Sequence, residues 1–101
     1  MPEQNVNETI ANSPCAVIDF FATWCGPCKM LAPILSEVEK ETSDVAFIRV
    51  DVDQAPDLAR RFGIMSIPTL VFLKNGEEVG RSVGFLRKPE LLAKLNELKT
   101  R

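Results

Sequence analysis

The stretch Cys15–Met30 reads CAVIDFFATWCGPCKM and joins a short apolar run to a helix that opens with two cysteines. Its first part, Cys15–Ala22, is almost entirely apolar, which is typical of a strand that is covered on both faces. From Cys25 to about Lys40, large apolar residues recur every three or four positions, as they do on one face of a helix. The sequence therefore predicts a buried strand followed directly by a helix with a cysteine pair at its start.

Five further segments follow, separated by turn signals. They are a strand at Val45–Val52, a helix at Pro56–Phe62, strands at Thr69–Leu73 and Glu77–Val83, and a helix that opens at Pro89. Asn75-Gly76 is a strong signal for a two-residue hairpin turn. Strands joined through a helix run parallel and a hairpin adds antiparallel neighbours, so this order predicts an α/β fold with a central mixed β-sheet and helices on both faces. Met1–Pro14 has no clear period and predicts no more than a short helical turn.

Length and composition predict a single domain that spans residues 1–101. Apolar residues make up 46% and charged residues 26%, which is usual for a globular chain. The net charge of −2 provides no basic stripe for nucleic acid, and no apolar run is long enough to cross a membrane. The first residues lack the basic and apolar regions of a signal peptide, so we expect a cytoplasmic protein.

Three cysteines and no histidine limit the chemistry that the chain can perform. An odd, low cysteine count is not the disulfide framework of a small secreted domain. A closed structural zinc site needs four Cys or His ligands, so we expect no metal site within one chain. No bound cofactor is needed either, because a cysteine pair can carry two electrons by itself.

Cys25 and Cys28 have the spacing of a redox-active pair, although a bare C-x-x-C also occurs in zinc half-sites. Residues three apart share a helix face, close enough for an unstrained disulfide. The first cysteine lies at the positive end of the helix dipole, which favours its thiolate, and the second is expected to be more buried. We therefore expect Cys25 to attack a substrate disulfide and Cys28 to resolve the mixed disulfide. Between them, Gly26 lets a backbone approach and Pro27 suits a first helical turn.

The residues Trp24–Lys29, WCGPCK, resemble the active-site motif of the thioredoxin family. The resemblance covers the chain from about Ser13 to Leu98 and includes Asp19-Phe20, Pro33, Asp53-Gln54, Ser66-Ile67-Pro68-Thr69 and Gly84. It implies the thioredoxin fold and a general protein-disulfide reductase that acts as a dithiol electron carrier. It also implies disulfide-containing target proteins and a thioredoxin reductase as electron donor, with a ferredoxin-linked donor as the alternative. We expect the protein to be a monomer.

The resemblance also implies a substrate-binding groove. Pro68 matches the cis-proline of the family, which lies against the cysteine pair, and the backbone before it pairs with an extended substrate segment. The implied groove consists of Trp24, Gly26, Pro27, Ile67, Pro68 and Gly84. The alternatives from the residues alone are a proline that begins an edge strand and a tryptophan that belongs to the core.

Asp19 interrupts the apolar run of the first strand, where a charge is costly to bury. One interpretation is a strand position that faces solvent. The resemblance implies instead the buried carboxylate of the family, with a pKa raised by desolvation, which takes the proton from Cys28. The family usually pairs this carboxylate with a lysine, whereas Arg49 occupies the matching place here, and an arginine cannot act as a proton donor.

Two other positions depart from the family pattern, and one cysteine lies outside it. Phe21 stands where many relatives have a second tryptophan, which affects packing more than chemistry. The N-terminus is several residues shorter than in a full-length relative, so the N-terminal strand of the fold is expected to be shortened or missing. Cys15 is interpreted as a small buried apolar residue, with an exposed regulatory thiol as the alternative.

Two other classes of function stay open from the sequence. The first is a binding module that uses the fold as a stable surface, and the intact cysteine motif with Asp19 and Pro68 argues against it because binding alone requires none of them. The second is an oxidase or isomerase of an exported compartment, against which the Gly-Pro dipeptide between the cysteines and the lack of a signal peptide argue.

Overall fold

The computed structural model describes residues 3–101, which form four helices and one four-stranded sheet. The helices are α1 (Glu3–Asn12), α2 (Gly26–Glu41), α3 (Pro56–Arg61) and α4 (Lys88–Lys99), and the strands are β1 (Cys15–Phe21), β2 (Ala46–Asp51), β3 (Thr69–Lys74) and β4 (Glu77–Val83). The strands lie in the order β2-β1-β3-β4, with β1 parallel to β2 and the other neighbouring pairs antiparallel. The predicted α/β fold with a mixed sheet is confirmed.

The core consists of two apolar layers, because successive side chains of a strand point to opposite faces of the sheet. Val17 of β1 belongs to the layer that includes residues of α2 and α4, whereas Ile18 and Phe20 belong to the layer that includes residues of α1 and α3. Helices therefore cover both faces, as predicted. Asp19 shares the face of Val17, and this alternation turns its side chain towards the layer that contains α2.

The N-terminal segment differs from its prediction, since α1 is a helix of 10 residues rather than a short turn. Val6 and Ile10 are one helical turn apart, and both are buried in the same apolar layer as residues of β2. Two apolar residues are too few to show a helical period in the sequence. The burial of Val6 and Ile10 against the rest of the protein stabilises this helix. Met1 and Pro2 lie outside the described residues. No strand precedes β1 in the described part of the chain, in which α1 is the first element.

Turn residues end the elements within one or two positions of the predicted bounds. Asn75 and Gly76 in the hairpin have φ values of 52° and 85°, a left-handed conformation that asparagine and glycine adopt most readily. α3 ends shortly before Gly63, whose φ is 64°. Pairing of β3 with β1 places Thr69 opposite Phe20, at the end of the sheet where the cysteine pair lies.

Candidate active site

The loop between β1 and α2 places the cysteine pair at the start of the helix. Cys25 is the N-cap residue of α2, and a proline lies in the first helical turn. The Cys25 Sγ accepts a hydrogen bond from the backbone N–H of Cys28 at 3.2 Å, as the oxygen of an ordinary capping residue does. The two sulfurs are joined in a disulfide, with the Cα atoms 5.2 Å apart, within the usual range for such a bond.

Both cysteines are buried in a small apolar cluster. Cys25 is 5% and Cys28 is 3% exposed, so the predicted difference in burial has the expected sign but is small. Ala22 belongs to the same cluster, and Val52 and Ile67 pack against it. Low-dielectric surroundings strengthen the effect of the helix N-terminus on a sulfur that carries negative charge.

The segment before β3 lies against Cys25, although 42 positions separate the two in sequence. The Cys25 Sγ is 3.9 Å from the carbonyl oxygen of Ile67, and the Ile67-Pro68 peptide bond is cis. The N–H of Gly84 donates a hydrogen bond to the carbonyl oxygen of Pro68 at 2.8 Å. The φ of Gly84 is 97°, which favours glycine at this position. The fold thus brings Ile67, Pro68 and Gly84 to the side of the disulfide.

Trp24 is 69% exposed next to Cys25, so it is a surface residue and not part of the core. Its indole Nε1 donates a hydrogen bond to Asp53 Oδ2 at 2.8 Å, which ties the ring to the loop after β2. The backbone N–H of Asp53 donates to Asp51 Oδ1 at 2.9 Å, which holds that loop. Asp53 is therefore a site residue that was not predicted, although its match to the family motif is a signal that could have identified it.

Gly26 and Pro27 are exposed between the two cysteines. A Cβ on Gly26 would meet no atom within 4 Å, so the surface over the disulfide is open. The predicted groove residues therefore gather at one end of the sheet around the cysteine pair: Trp24, Gly26, Pro27, Ile67, Pro68 and Gly84. Their role in binding a substrate stays a prediction.

Asp19 is buried, which excludes a position that faces solvent. Arg49 is its register partner on β2, and the Arg49 Nε donates a hydrogen bond to Asp19 Oδ2 at 3.3 Å. The other oxygen, Oδ1, has no hydrogen-bond partner among the described residues. Burial raises the pKa of Asp19 above its ordinary value, and the charge and hydrogen bond of the half-exposed Arg49 oppose that rise only in part. Arg49 also lies over the Phe21 ring, 4.4 Å from its centroid.

A hollow of about 240 Å³ adjoins the buried cysteine. Cys28 and Arg49 both line it. The volume is large enough for several water molecules. Asp19 does not line this hollow; its side chain lines a separate, smaller one together with Leu35 and Arg49.

Neither a metal site nor a membrane span is found in the described part of the chain. Within it, no group of three His, Cys, Asp or Glu side chains is placed to hold a metal ion. None of the helices among residues 3–101 is long and apolar enough to cross a membrane.

Comparison with known sequences gives matches over nearly the whole chain. The Thioredoxin family profile matches residues 1–97. The thioredoxin of Chlamydia caviae is 46% identical over 94 residues, which are 93% of this chain and 91% of that protein. The thioredoxin of Mycobacterium bovis is 42% identical over 92 residues, which are 90% of this chain and 79% of that protein. The similarity therefore extends well beyond the cysteine motif.

Solved structures agree with the sequence comparison. A thioredoxin variant from Halobacterium salinarum superposes with a TM-score of 0.90 at 31% identity, over 97% of this chain and 86% of that chain. Oxidised mitochondrial thioredoxin 3 from Saccharomyces cerevisiae superposes with a TM-score of 0.86 at 35% identity, over 94% of this chain and 89% of that chain. The structural matches therefore indicate the same family as the sequence matches.

Proposed function

Since the chain belongs to the thioredoxin family, whose members are protein-disulfide oxidoreductases, we propose that it reduces disulfides with Cys25 as the attacking thiol and Cys28 as the resolving thiol. One structural observation supports this assignment of roles to the two cysteines. The Cys25 Sγ caps α2 and adjoins the Ile67 carbonyl beneath the open surface over the disulfide, whereas Cys28 lies inside the first helical turn. The cap position favours negative charge on the sulfur that attacks.

The proposed reaction has two steps. The Cys25 thiolate attacks one sulfur of the target disulfide, which forms a mixed disulfide and releases the other target sulfur as a thiolate that takes up a proton. The Cys28 thiolate then attacks Cys25, which forms the Cys25–Cys28 disulfide and releases the second target thiol. The target gains two electrons and two protons, and the cysteine pair loses them.

Asp19 is the proposed base for the second step, in which the Cys28 thiol must lose its proton. Its carboxylate is buried on the α2 side of the sheet, and burial raises its pKa towards neutral pH, where a base is most useful. Arg49 holds Oδ2, which leaves Oδ1 as the oxygen that can accept a proton. Arg49, which lines the hollow beside Cys28, orients the carboxylate and does not itself carry the proton.

The target is proposed to bind as an extended segment across the open surface over the disulfide. The Ile67 carbonyl beside Cys25 can accept a hydrogen bond from the target backbone, as in strand addition. Trp24 and Pro27 are exposed next to the cysteines and contribute apolar surface, and Gly26 leaves room for a close approach. Backbone pairing of this kind is compatible with many target sequences.

The proposed electron donor is a thioredoxin reductase, and the proposed working form is a monomer in the cytoplasm. Family membership supports the donor. The monomer is supported by the site, because the cysteine pair, Asp19 and the groove all come from one chain.

Insulin reduction by dithiothreitol, with and without the protein, tests the proposed function. A few micromolar protein is expected to accelerate release of the insulin B chain well above the rate with dithiothreitol alone. A binding module with an idle cysteine pair would leave that rate unchanged, and this result would refute the proposal. Addition of an NADPH-dependent thioredoxin reductase in place of dithiothreitol tests the electron donor separately.

Replacing Cys15 by alanine is expected to lower the free energy of unfolding by about 1 kcal/mol and to leave insulin reduction unchanged. Cys15 is a buried free cysteine in the apolar layer next to α2 and α4, and its Sγ lies 3.5 Å from Lys74 Nζ. Urea unfolding measures the first effect and the insulin assay the second. A variant that unfolds like the wild type but has lost its activity would assign Cys15 to the mechanism.

A further inference from the structure

Exposed apolar side chains are concentrated at the end of the sheet that carries the disulfide. Five large apolar residues are exposed in the described part of the chain, and four of them lie at this end: Trp24, Met65, Val83 and Phe85. The register explains the grouping, because Thr69 at the start of β3 pairs with Phe20 near the end of β1 and with Val83 at the end of β4. Exposed apolar side chains that lie together are typical of sites where another molecule binds.

Met65 is the most exposed member of this group. Its exposure of 96% means that the side chain makes almost no contact within the protein. It lies in the segment between α3 and β3, two residues before Ile67, whose carbonyl oxygen is 3.9 Å from Cys25 Sγ. Because consecutive Cα atoms are about 3.8 Å apart, the Met65 Cα lies within about 8 Å of the Ile67 Cα.

The distance of about 3.8 Å between consecutive Cα atoms also applies to the target chain. A residue next to the target cysteine has its Cα about 3.8 Å from that cysteine, so both this residue and Met65 lie one or two positions along their chains from the place where the target cysteine would meet Cys25. Methionine is flexible and polarizable, and it packs against aliphatic side chains of different shapes. Ser66 and Ile67, which separate Met65 from Pro68, carry no charge that would favour a charged neighbour.

We propose that Met65 is a specificity-determining residue that favours target disulfides in which an aliphatic side chain flanks the reacting cysteine. The proposal rests on the proposed function and names the targets that the groove prefers. The occupant is an extended segment of a target protein, because the Ile67 carbonyl that receives its backbone lies beside the attacking sulfur. The contact is at the surface, so the expected preference is about five- to tenfold in kcat/KM, at or just below the roughly tenfold lower limit for a contact in an apolar pocket.

Two disulfide peptides that differ only beside the reacting cysteine test the proposal. One has leucine on both sides of the cysteine and the other has serine. The measured quantity is the ratio of kcat/KM for the two peptides, taken within each protein, so that differences in overall activity cancel. The variants are Met65→Gln, which is nearly isosteric and polar, and Met65→Leu, which keeps the apolar character. Reduction of 2-hydroxyethyl disulfide by each protein reports the state of the cysteine pair itself.

The wild type and Met65→Leu are expected to prefer the leucine peptide about five- to tenfold, and Met65→Gln is expected to reduce this ratio to about one. A Met65→Gln variant that keeps the wild-type ratio would overturn the proposal, as would a wild type with no preference. A concentration-dependent dimer that Met65→Gln dissociates would overturn it too, because Met65 would then serve self-association. A wild type that reduces neither the peptides nor 2-hydroxyethyl disulfide would refute the proposed function itself, which is a different result from a lost preference.

Discussion

Replacing Cys25 by serine is expected to reduce the rate of disulfide reduction to that of dithiothreitol alone, whereas replacing Cys28 by serine is expected to trap covalent complexes with target proteins. A serine hydroxyl at position 25 is not ionised near neutral pH and cannot attack a disulfide as a thiolate does. With serine at position 28, attack by Cys25 proceeds but no thiol is present to resolve the mixed disulfide. Cys25→Ser is therefore expected to be inactive, whereas Cys28→Ser is expected to form covalent complexes with targets.

The measurement is best made in the Cys15→Ala background, so that the cysteine pair provides all the thiols of the protein. Insulin reduction measures the activity, and mass spectrometry under non-reducing conditions detects adducts with the mass of protein plus target. The double variant Cys25→Ser with Cys28→Ser is the matched control and is expected to form no adduct. Stable adducts through Cys28 in the Cys25→Ser variant would reverse the assignment of the two cysteines.

Replacing Asp19 by asparagine is expected to stabilise the protein near neutral pH and to slow disulfide reduction. Most substitutions of buried residues destabilise, so a gain in stability of any size is informative. The gain is expected because the wild-type carboxylate, once ionised, is charged in a buried position with Oδ1 unpartnered, and an amide carries no charge there. Arg49 reduces the effect, since its charge favours the ionised carboxylate.

The pH dependence of this gain follows from the direction of the pKa shift. Burial raises the pKa of Asp19 in the folded state, so between its ordinary value near 4 and the folded value the native protein holds a proton that the unfolded chain has lost. The stability of the wild type therefore falls as the pH rises through this window, and the fall stops above the folded pKa. The advantage of Asp19→Asn is absent below about pH 4, grows through the window and is constant above it.

Activity is expected to change in the opposite direction. Without the base, the proton of Cys28 is lost more slowly, and the rate near pH 7 is expected to fall by about 10²–10⁴-fold, the range for general base catalysis. Cys25 attack does not use Asp19, so the mixed disulfide is expected to accumulate in the variant.

Urea unfolding from pH 4 to pH 8, together with insulin reduction, measures both effects. Asp44→Asn is the matched control, because Asp44 is an exposed carboxylate whose ion pair with Lys99 is at the surface. Its stability is expected to stay within about 0.5 kcal/mol of the wild type. An Asp19→Asn variant that is less stable than the wild type and fully active would refute the role of Asp19 as a buried base.

Local patterns in the sequence were enough to predict the order and approximate bounds of β1 to β4 and of three of the helices. Alternation, helical spacing and turn residues act within a few positions of the chain, so they can be interpreted without the rest of the molecule. The hairpin at Asn75-Gly76 and the start of α2 directly after Cys25 are of this kind. The disulfide between Cys25 and Cys28 is local as well, because three residues of helix bring the two sulfurs together.

Tertiary structure decided the features that depend on residues far apart in the chain. α1 gains stability when Val6 and Ile10 are buried against the sheet. The sequence near these two residues does not predict that burial. The burial of Asp19 depends on the helices that cover its face, and its partner Arg49 comes from another strand. The contacts of Cys25 with Ile67 and of Trp24 with Asp53 join loops at one end of the sheet. The physical reason is that strand pairing and helix packing, rather than local propensity, bring such loops together.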